Sequence, residues 1–148
     1  MFTWVLGLPK ECTSDNFVQA LIYLDFVRSL FNSLFITVVA VAIIIRLSSM
    51  AGYALARNKS KLSGIILLVF VGAMLIPFQS VMLPLVSIFG KADMLNKTGL
   101  IFMYLGFGSS LSIFLYHGAM TGISKSLDEA ATIDGANKLQ VFWHIILP

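Results

Sequence analysis

Acidic side chains are scarce in this 148-residue chain, and three of the seven, Asp128, Glu129 and Asp134, lie within one seven-residue stretch. Asp128 and Glu129 fall in the first turn of a predicted helix, where negative charge favours the helix dipole. Elsewhere the sequence has no Cys/His cluster, no Ser/His/Asp arrangement and no Gly-x-x-x-x-Gly-Lys-[Ser/Thr] phosphate loop. Its single cysteine, Cys12, gives no metal-ligand spacing. The sequence therefore predicts no catalytic, cofactor or metal site, and a protein that is not an enzyme.

Residues 126–148, called the elbow below, predict two short helices joined by a turn. Ser126 and Glu129 have the spacing of a capping box that starts a helix, and Ala130 and Ala131 continue it with small side chains. Gly135 follows where a helix can end in the left-handed conformation. A second helix, capped by Asn137, would then share one apolar face among Leu139, Phe142, Ile145 and Ile146. An ordinary amphipathic connector, in which Glu129 only caps, fits the same pattern.

The elements that position the elbow are apolar. Hydrophobic residues make up 58% of the chain and charged residues 11%, whereas a soluble domain has roughly 25% charged residues. Residues 29–45, 62–90 and 98–124 contain no Asp, Glu, Lys or Arg, and a membrane-spanning helix needs about 20 residues. These runs exclude a soluble or disordered protein. The densest basic cluster, residues 57–61, fits the positive-inside bias rather than a nucleic-acid-binding stripe.

Three spans are predicted, at about residues 30–56, 63–89 and 98–119, and the elbow follows them. If the basic cluster after the first span is cytoplasmic, the elbow is cytoplasmic as well. Both ends of the chain read as cut, so we expect a partial transmembrane domain from the middle of a larger membrane protein.

The second span carries two prolines, Pro77 and Pro84, each of which bends or breaks a helix. Gln79 and Ser80 lie between them and are candidate residues lining a solute pathway, because a broken helix needs polar partners for its freed carbonyls. A kink that only shapes packing fits equally well. Arg46 interrupts the first span, and it either has a function there or extends to the interface.

The elbow resembles the EAA signature of ATP-binding-cassette (ABC) importer permeases, and its flanking residues resemble the carbohydrate, maltose-type branch. Residues 32–34 and 53–57 extend the resemblance upstream. In this family the signature couples the permease to its ATPase. The positions carried over are Glu129, Ala130, Ala131, Asp134, Gly135, Ala136, Phe142, Ile145, Leu147 and Pro148. The family commonly has a proline shortly before the glutamate, where this chain has Ser124-Lys125-Ser126.

The resemblance implies an all-α, polytopic membrane helical bundle in a bacterial or archaeal plasma membrane, with about three spans and the coupling helix in this chain. It implies four partners: an ABC ATPase subunit, a second permease subunit, an extracytoplasmic solute-binding protein and membrane lipid. It implies no cofactor, no nucleic acid, and a sugar as solute. An ion channel or secondary transporter subunit, drawn from the broken span and Arg46, and a non-functional truncated fragment are the other readings.

Overall fold

The computed structural model describes residues 15–147, which fold into helices and turns without a strand. The predicted all-α class is confirmed. A boundary inside the second helix divides the chain into two compact units, residues 1–35 and 36–148. The helices are α1 (Asp15–Tyr23), α2 (Phe26–Arg57), α3 (Lys61–Met74), α4 (Phe78–Lys91), α5 (Lys97–Thr121), α6 (Lys125–Ile133), α7 (Lys138–Val141) and a π-helical segment, Phe142–Ile146.

In the first unit, a tight turn follows α1. Asp25 takes the left-handed conformation with a φ of 46°, and the Ser29 hydroxyl donates to the Leu24 carbonyl at 2.9 Å. Asp25 and Arg28 are 4.0 Å apart, but both side chains are largely exposed. An exposed ion pair of this kind contributes little, so the backbone conformation holds the turn.

Two helices of the described chain, α2 and α5, are long and apolar enough to cross a membrane. With 32 and 25 residues they extend about 48 and 37 Å at 1.5 Å per residue, against a hydrocarbon core of about 30 Å. The helices α3 and α4 have 14 residues each, so neither crosses alone. They meet at an angle of 96° and form a third crossing only if the bent pair is one span.

Only one of the two prolines in this pair breaks the helix. Pro77 is extended, with a ψ of 136°, and serves as the N-cap of α4. Because a proline disfavours helical geometry in the residue before it, α3 ends at Met74. Pro84 lies inside α4, which continues to Lys91, so this proline does not break the helix. An interior proline removes one hydrogen bond and bends a helix without having to end it.

Small residues bring α2 and α5 together near their C-terminal ends, beside the elbow. Ser48, Gly52 and Ala56, spaced four apart along α2, are buried. A Cβ at Gly52 would lie 2.7 Å from the Tyr116 Cβ and 2.9 Å from the His117 amide nitrogen. The two backbones can approach this closely only because position 52 has no side chain. On another side, α5 packs against α3.

Candidate functional site

The first helix of the elbow, α6, begins earlier than the sequence predicts. Ser124 is the N-cap, and its hydroxyl accepts a hydrogen bond from the Ser126 amide at 3.3 Å. Ser126 therefore lies inside the helix, and the predicted capping box between Ser126 and Glu129 is wrong. Both serines are suitable caps, and the earlier start adds two residues to the helix while keeping Asp128 in its first turn.

The turn after α6 has the conformation that the sequence predicts. Gly135 has a φ of +88°, which favours glycine because a Cβ is strained there. The Ala136 amide donates to the Ala131 carbonyl at 2.9 Å, and the Gly135 amide donates to the Thr132 carbonyl at 3.1 Å. These are the paired bonds of a Schellman motif, which satisfies the last carbonyls of a helix and fixes the direction of the chain.

The second helix of the elbow starts with a complete capping box. The Gln140 amide donates to the Asn137 side chain at 2.9 Å, and the Asn137 amide donates to the Gln140 side chain at 2.8 Å. The predicted cap at Asn137 is therefore confirmed. After α7 each backbone hydrogen bond spans five residues instead of four, which is the π-helical pattern. The Leu147 amide, for example, donates to the Phe142 carbonyl at 2.9 Å.

The second helix of the elbow and the π-helical segment turn only part of the predicted apolar face inward. Val141, Phe142 and Ile146 are buried, whereas Leu139 and Ile145 are 58% and 41% exposed. The apolar face predicted at α-helical spacing is therefore wrong for Leu139 and Ile145. Leu139 lies in α7, before the π-helical segment, so its exposure reflects how α7 packs, whereas Ile145 lies within the segment.

An apolar cluster joins the elbow to the ends of α2 and α5. The Phe142 ring, only 1% exposed, lies 5.4 Å from the Tyr53 ring, centroid to centroid. The small Ala131 side chain, on the inner face of α6, lets that helix pack closely. The buried members of the cluster are Ala56, Met120, Ala131, Val141, Phe142 and Ile146.

A part-buried ion pair lies beside this cluster. Arg57, the last residue of α2, donates from Nε to Asp128 Oδ2 at 2.6 Å and from Nη2 to Asp128 Oδ1 at 3.0 Å. Its Nη1 donates to the carbonyls of Met120 and Ile123 at 3.2 and 3.0 Å, at the C-terminal end of α5. The Tyr53 hydroxyl donates to Asp128 Oδ2 at 3.0 Å. One guanidinium therefore holds three elements: α2, α5 and α6.

The surroundings strengthen this contact. The side chains of Arg57 and Asp128 are only 14% and 18% exposed. Bidentate pairing of a guanidinium with a carboxylate is directional, and partial burial reduces screening by water and salt. The carbonyls at the C-terminal end of α5 carry partial negative charge that the same cation neutralises.

The outer face of α6 is exposed. Glu129 and Ala130 are open to solvent, and Ile133, on the same side of the helix, is 85% exposed. Among the other residues carried over from the family signature, Ala131 and Phe142 are buried and Ala136 is half-buried. Asp134, Gly135, Ile145 and Leu147 are exposed, and Pro148 lies outside the described residues.

The candidate pathway residues Gln79 and Ser80 lie apart from the elbow. Both are exposed in the first turn of α4, directly after the bend at Pro77. The Ser80 amide donates to the Pro77 carbonyl at 3.0 Å. The structure thus places them at the break in the helix, as the sequence predicts, without bringing them together with the residues of the signature.

An open cavity of about 640 Å³ is lined by residues of the end of α2 and of α6 and α7. Arg57 and Asp128 lie on one side of it, and Lys125, Glu129 and Lys138 also line it. Both signs of charge therefore border the same opening, beside the exposed face of α6.

The contact between Arg57 and Asp128 is not found by reasoning from the sequence, where Arg57 reads as a topology signal and Asp128 as a helix-dipole residue. One local signal points to it. Tyr53 and Arg57 are four residues apart, so they share a face of α2 and can hold one carboxylate together. Which acid they hold depends on the packing of α6, which local spacing does not specify.

Apolar helices and a rigid, capped elbow at their end define an all-helical membrane protein. Residues 44–148 match a family model described as "Binding-protein-dependent transport system inner membrane component". The chain belongs to this family, and the resemblance drawn from the EAA signature is confirmed.

The named relatives of the chain are transport permeases as well. The chain is 54% identical to a probable starch degradation products transport system permease protein of Thermoanaerobacterium thermosulfurigenes, over 100% of this chain and 54% of that protein. It is 37% identical to a multiple sugar-binding transport system permease protein of Streptococcus mutans, over 96% and 52%. It is 33% identical to a melibiose/raffinose/stachyose import permease protein of Bacillus subtilis, over 98% and 52%. The chain spans about half the length of these relatives.

Proposed function

We propose that this chain is part of the permease subunit of an ABC importer that takes up a sugar, and that its elbow couples the permease to a separate ATPase. The observation that carries the proposal is the two-sided elbow. Its inner face is packed and ion-paired to α2 and α5, while its outer face exposes Glu129, Ala130 and Ile133. The outer face is therefore the side of α6 that a partner can reach without breaking the contacts of the inner face.

The proposal includes the remaining parts of the importer. The spans at about 30–56, 63–89 and 98–119 cross a bacterial or archaeal plasma membrane, and the elbow at 126–148 lies on the cytoplasmic side. A second permease subunit completes the solute pathway, and an extracytoplasmic solute-binding protein delivers the sugar. The chain itself catalyses no reaction, because ATP is hydrolysed by the partner. Membership of the family favours this function over an ion channel or a secondary transporter.

The sugar class rests on the relatives, whose names specify starch degradation products, multiple sugars, and melibiose, raffinose and stachyose. Residues 79 and 80, exposed at the bend between α3 and α4, are proposed to line the pathway. If Gln79 lines it, Gln79→Leu changes uptake without changing the amount of permease in the membrane. Uptake equal to wild type would remove Gln79 from the pathway.

Coupling through the elbow is tested in the full-length permease with its ATPase. We expect the ATPase to co-purify with the permease in detergent, and Gly135→Asp to separate ATP hydrolysis from transport while leaving membrane insertion intact. The Asp side chain strains a position with a φ of +88° and adds charge to the exposed turn. Gly135→Asn, whose side chain meets the same backbone strain but adds no charge, is the matched variant. Normal solute-stimulated ATPase activity in Gly135→Asp would contradict the coupling role.

A further inference from the structure

We propose that Arg57 and Asp128 form a latch that makes the elbow and the ends of α2 and α5 move as one body. The inference deepens the proposed function and rests on it: the elbow receives the movement of the ATPase, and the latch passes it into the apolar helices. Arg57 and Asp128 are positioning residues in this scheme.

The first argument is that different contacts fold the elbow and orient it on the apolar helices. Its own fold depends on the Ser124 cap, the turn at Gly135 and the Asn137 capping box, and none of these contacts involves Arg57. The orientation of α6 relative to the apolar helices depends on the apolar cluster and on the Arg57 side chain. Removing the guanidinium therefore leaves the elbow folded but free to tilt.

The second argument is geometric. Apolar contacts resist separation but allow sliding, whereas a bidentate ion pair fixes direction. Arg57 uses Nε, Nη1 and Nη2 at the same time, two on Asp128 and one on the carbonyls of Met120, in α5, and Ile123, just after it. A lysine at position 57 has one nitrogen and cannot hold both partners in this geometry. The Tyr53 hydroxyl on Asp128 fixes the carboxylate from the same face of α2.

The third argument separates the latch from a topology signal. Lys59, in the connection after α2, and Lys61, the first residue of α3, carry the same charge close to Arg57 in the sequence, and both are exposed. They supply the positive-inside bias without Arg57. The partial burial of Arg57 and its four hydrogen bonds go beyond that role.

The test uses the full-length permease complex reconstituted with its ATPase and binding protein, with maltotriose as the probe. The measured quantity is maltotriose imported per ATP hydrolysed, at equal amounts of assembled complex. Arg57→Gln is expected to lower this ratio about tenfold, within the range of residues that carry coupling between sites. Arg57→Lys is expected to fall between wild type and Arg57→Gln, and Lys59→Gln, the matched control, to equal wild type.

A double-variant cycle tests whether the two residues act through one contact. If they do, Arg57→Gln with Asp128→Asn loses no more coupling than the more severe single variant. A solute-independent measurement uses spin labels at Leu47→Cys in α2 and Lys138→Cys in α7, both exposed positions, in a cysteine-free background. The distance between them should be the same with and without ATP in the wild-type complex. In Arg57→Gln it should differ between the two states.

Each outcome decides between the proposals. An Arg57→Gln complex that imports as much maltotriose per ATP hydrolysed as wild type, and whose label distance is the same with and without ATP, overturns the latch. Failure of Arg57→Gln, Asp128→Asn and the milder Tyr53→Phe to assemble also overturns it, because the contact would then serve folding alone. Absence of the ATPase from the purified wild-type permease instead contradicts the proposed function, whatever the variants do.

Discussion

Two of the breaks between helices in the second unit, at Pro77 and at Gly135, are built in opposite ways. Around Gly135 the elbow buries Ala131, Val141, Phe142 and Ile146 against the ends of α2 and α5. Around Pro77, by contrast, neither α3 nor α4 buries a residue within the described chain. The elbow is thus supported by buried side chains, whereas the bent pair, although α3 packs against α5, leaves most of its apolar side chains exposed. A segment that must transmit movement needs internal support, and one that faces lipid or a second subunit does not.

The largest expected effect tests the support of the elbow at its centre. Phe142→Ala leaves a cavity under the Tyr53 ring and is expected to cost about 3–5 kcal/mol of stability. Thermal unfolding of the purified full-length complex measures the loss. Leu139→Ala is the matched control, because Leu139 is 58% exposed and should change the midpoint little. Equal losses in both variants would show that Leu139 is buried as well and would restore the predicted apolar face.

The next effect tests the platform on which the elbow lies. Gly52→Ala places a Cβ 2.7 Å from the Tyr116 Cβ and forces α2 and α5 apart. Overpacking of this kind is expected to cost about 1–3 kcal/mol of stability. The expected result is a lower thermal midpoint and less assembled complex. Gly106→Ala, on the facing helix but with no atom within 4 Å of the added Cβ, should be neutral. A neutral Gly52→Ala would show that α2 and α5 are further apart in the membrane.

A smaller effect tests the caps. Asn137→Ala removes one half of the capping box at the start of α7 and is expected to cost about 1 kcal/mol. Asn137→Ser keeps a side-chain acceptor and should recover most of the loss. The same unfolding measurement applies, and a loss of several kcal/mol would indicate that Asn137 makes a contact beyond the cap.

The smallest effect tests the other side of the comparison. Leu83→Ala in α4, where Leu83 is 73% exposed, is expected to change stability by no more than about 0.5 kcal/mol. Destabilisation of the complex as large as that of Phe142→Ala would show that α4 is buried against another subunit. The comparison between a supported elbow and an open bent pair would then hold only for the chain by itself.

Local signals predicted what depends on local physics. Missing charge over three long runs predicted apolar helices, glycine at position 135 predicted a left-handed turn, and Asn137 predicted a cap. Predictions failed where two local solutions compete. Ser124 and Ser126 can both cap α6, and an α-helical or a π-helical register can follow α7. In each case the choice depends on how the elbow packs on α2 and α5, which the local spacing does not specify.

The sequence by itself determined that the chain is helical, that it belongs in a membrane, and where its two turns fall, because hydropathy, proline and glycine act over a few residues. The tertiary structure decided which side of each helix is used. It brought Arg57 across 71 positions to Asp128, buried Phe142 instead of Leu139, and left Ile133 exposed. Those choices depend on the close approach of α2 and α5 at Gly52, which sets the place where the elbow can pack.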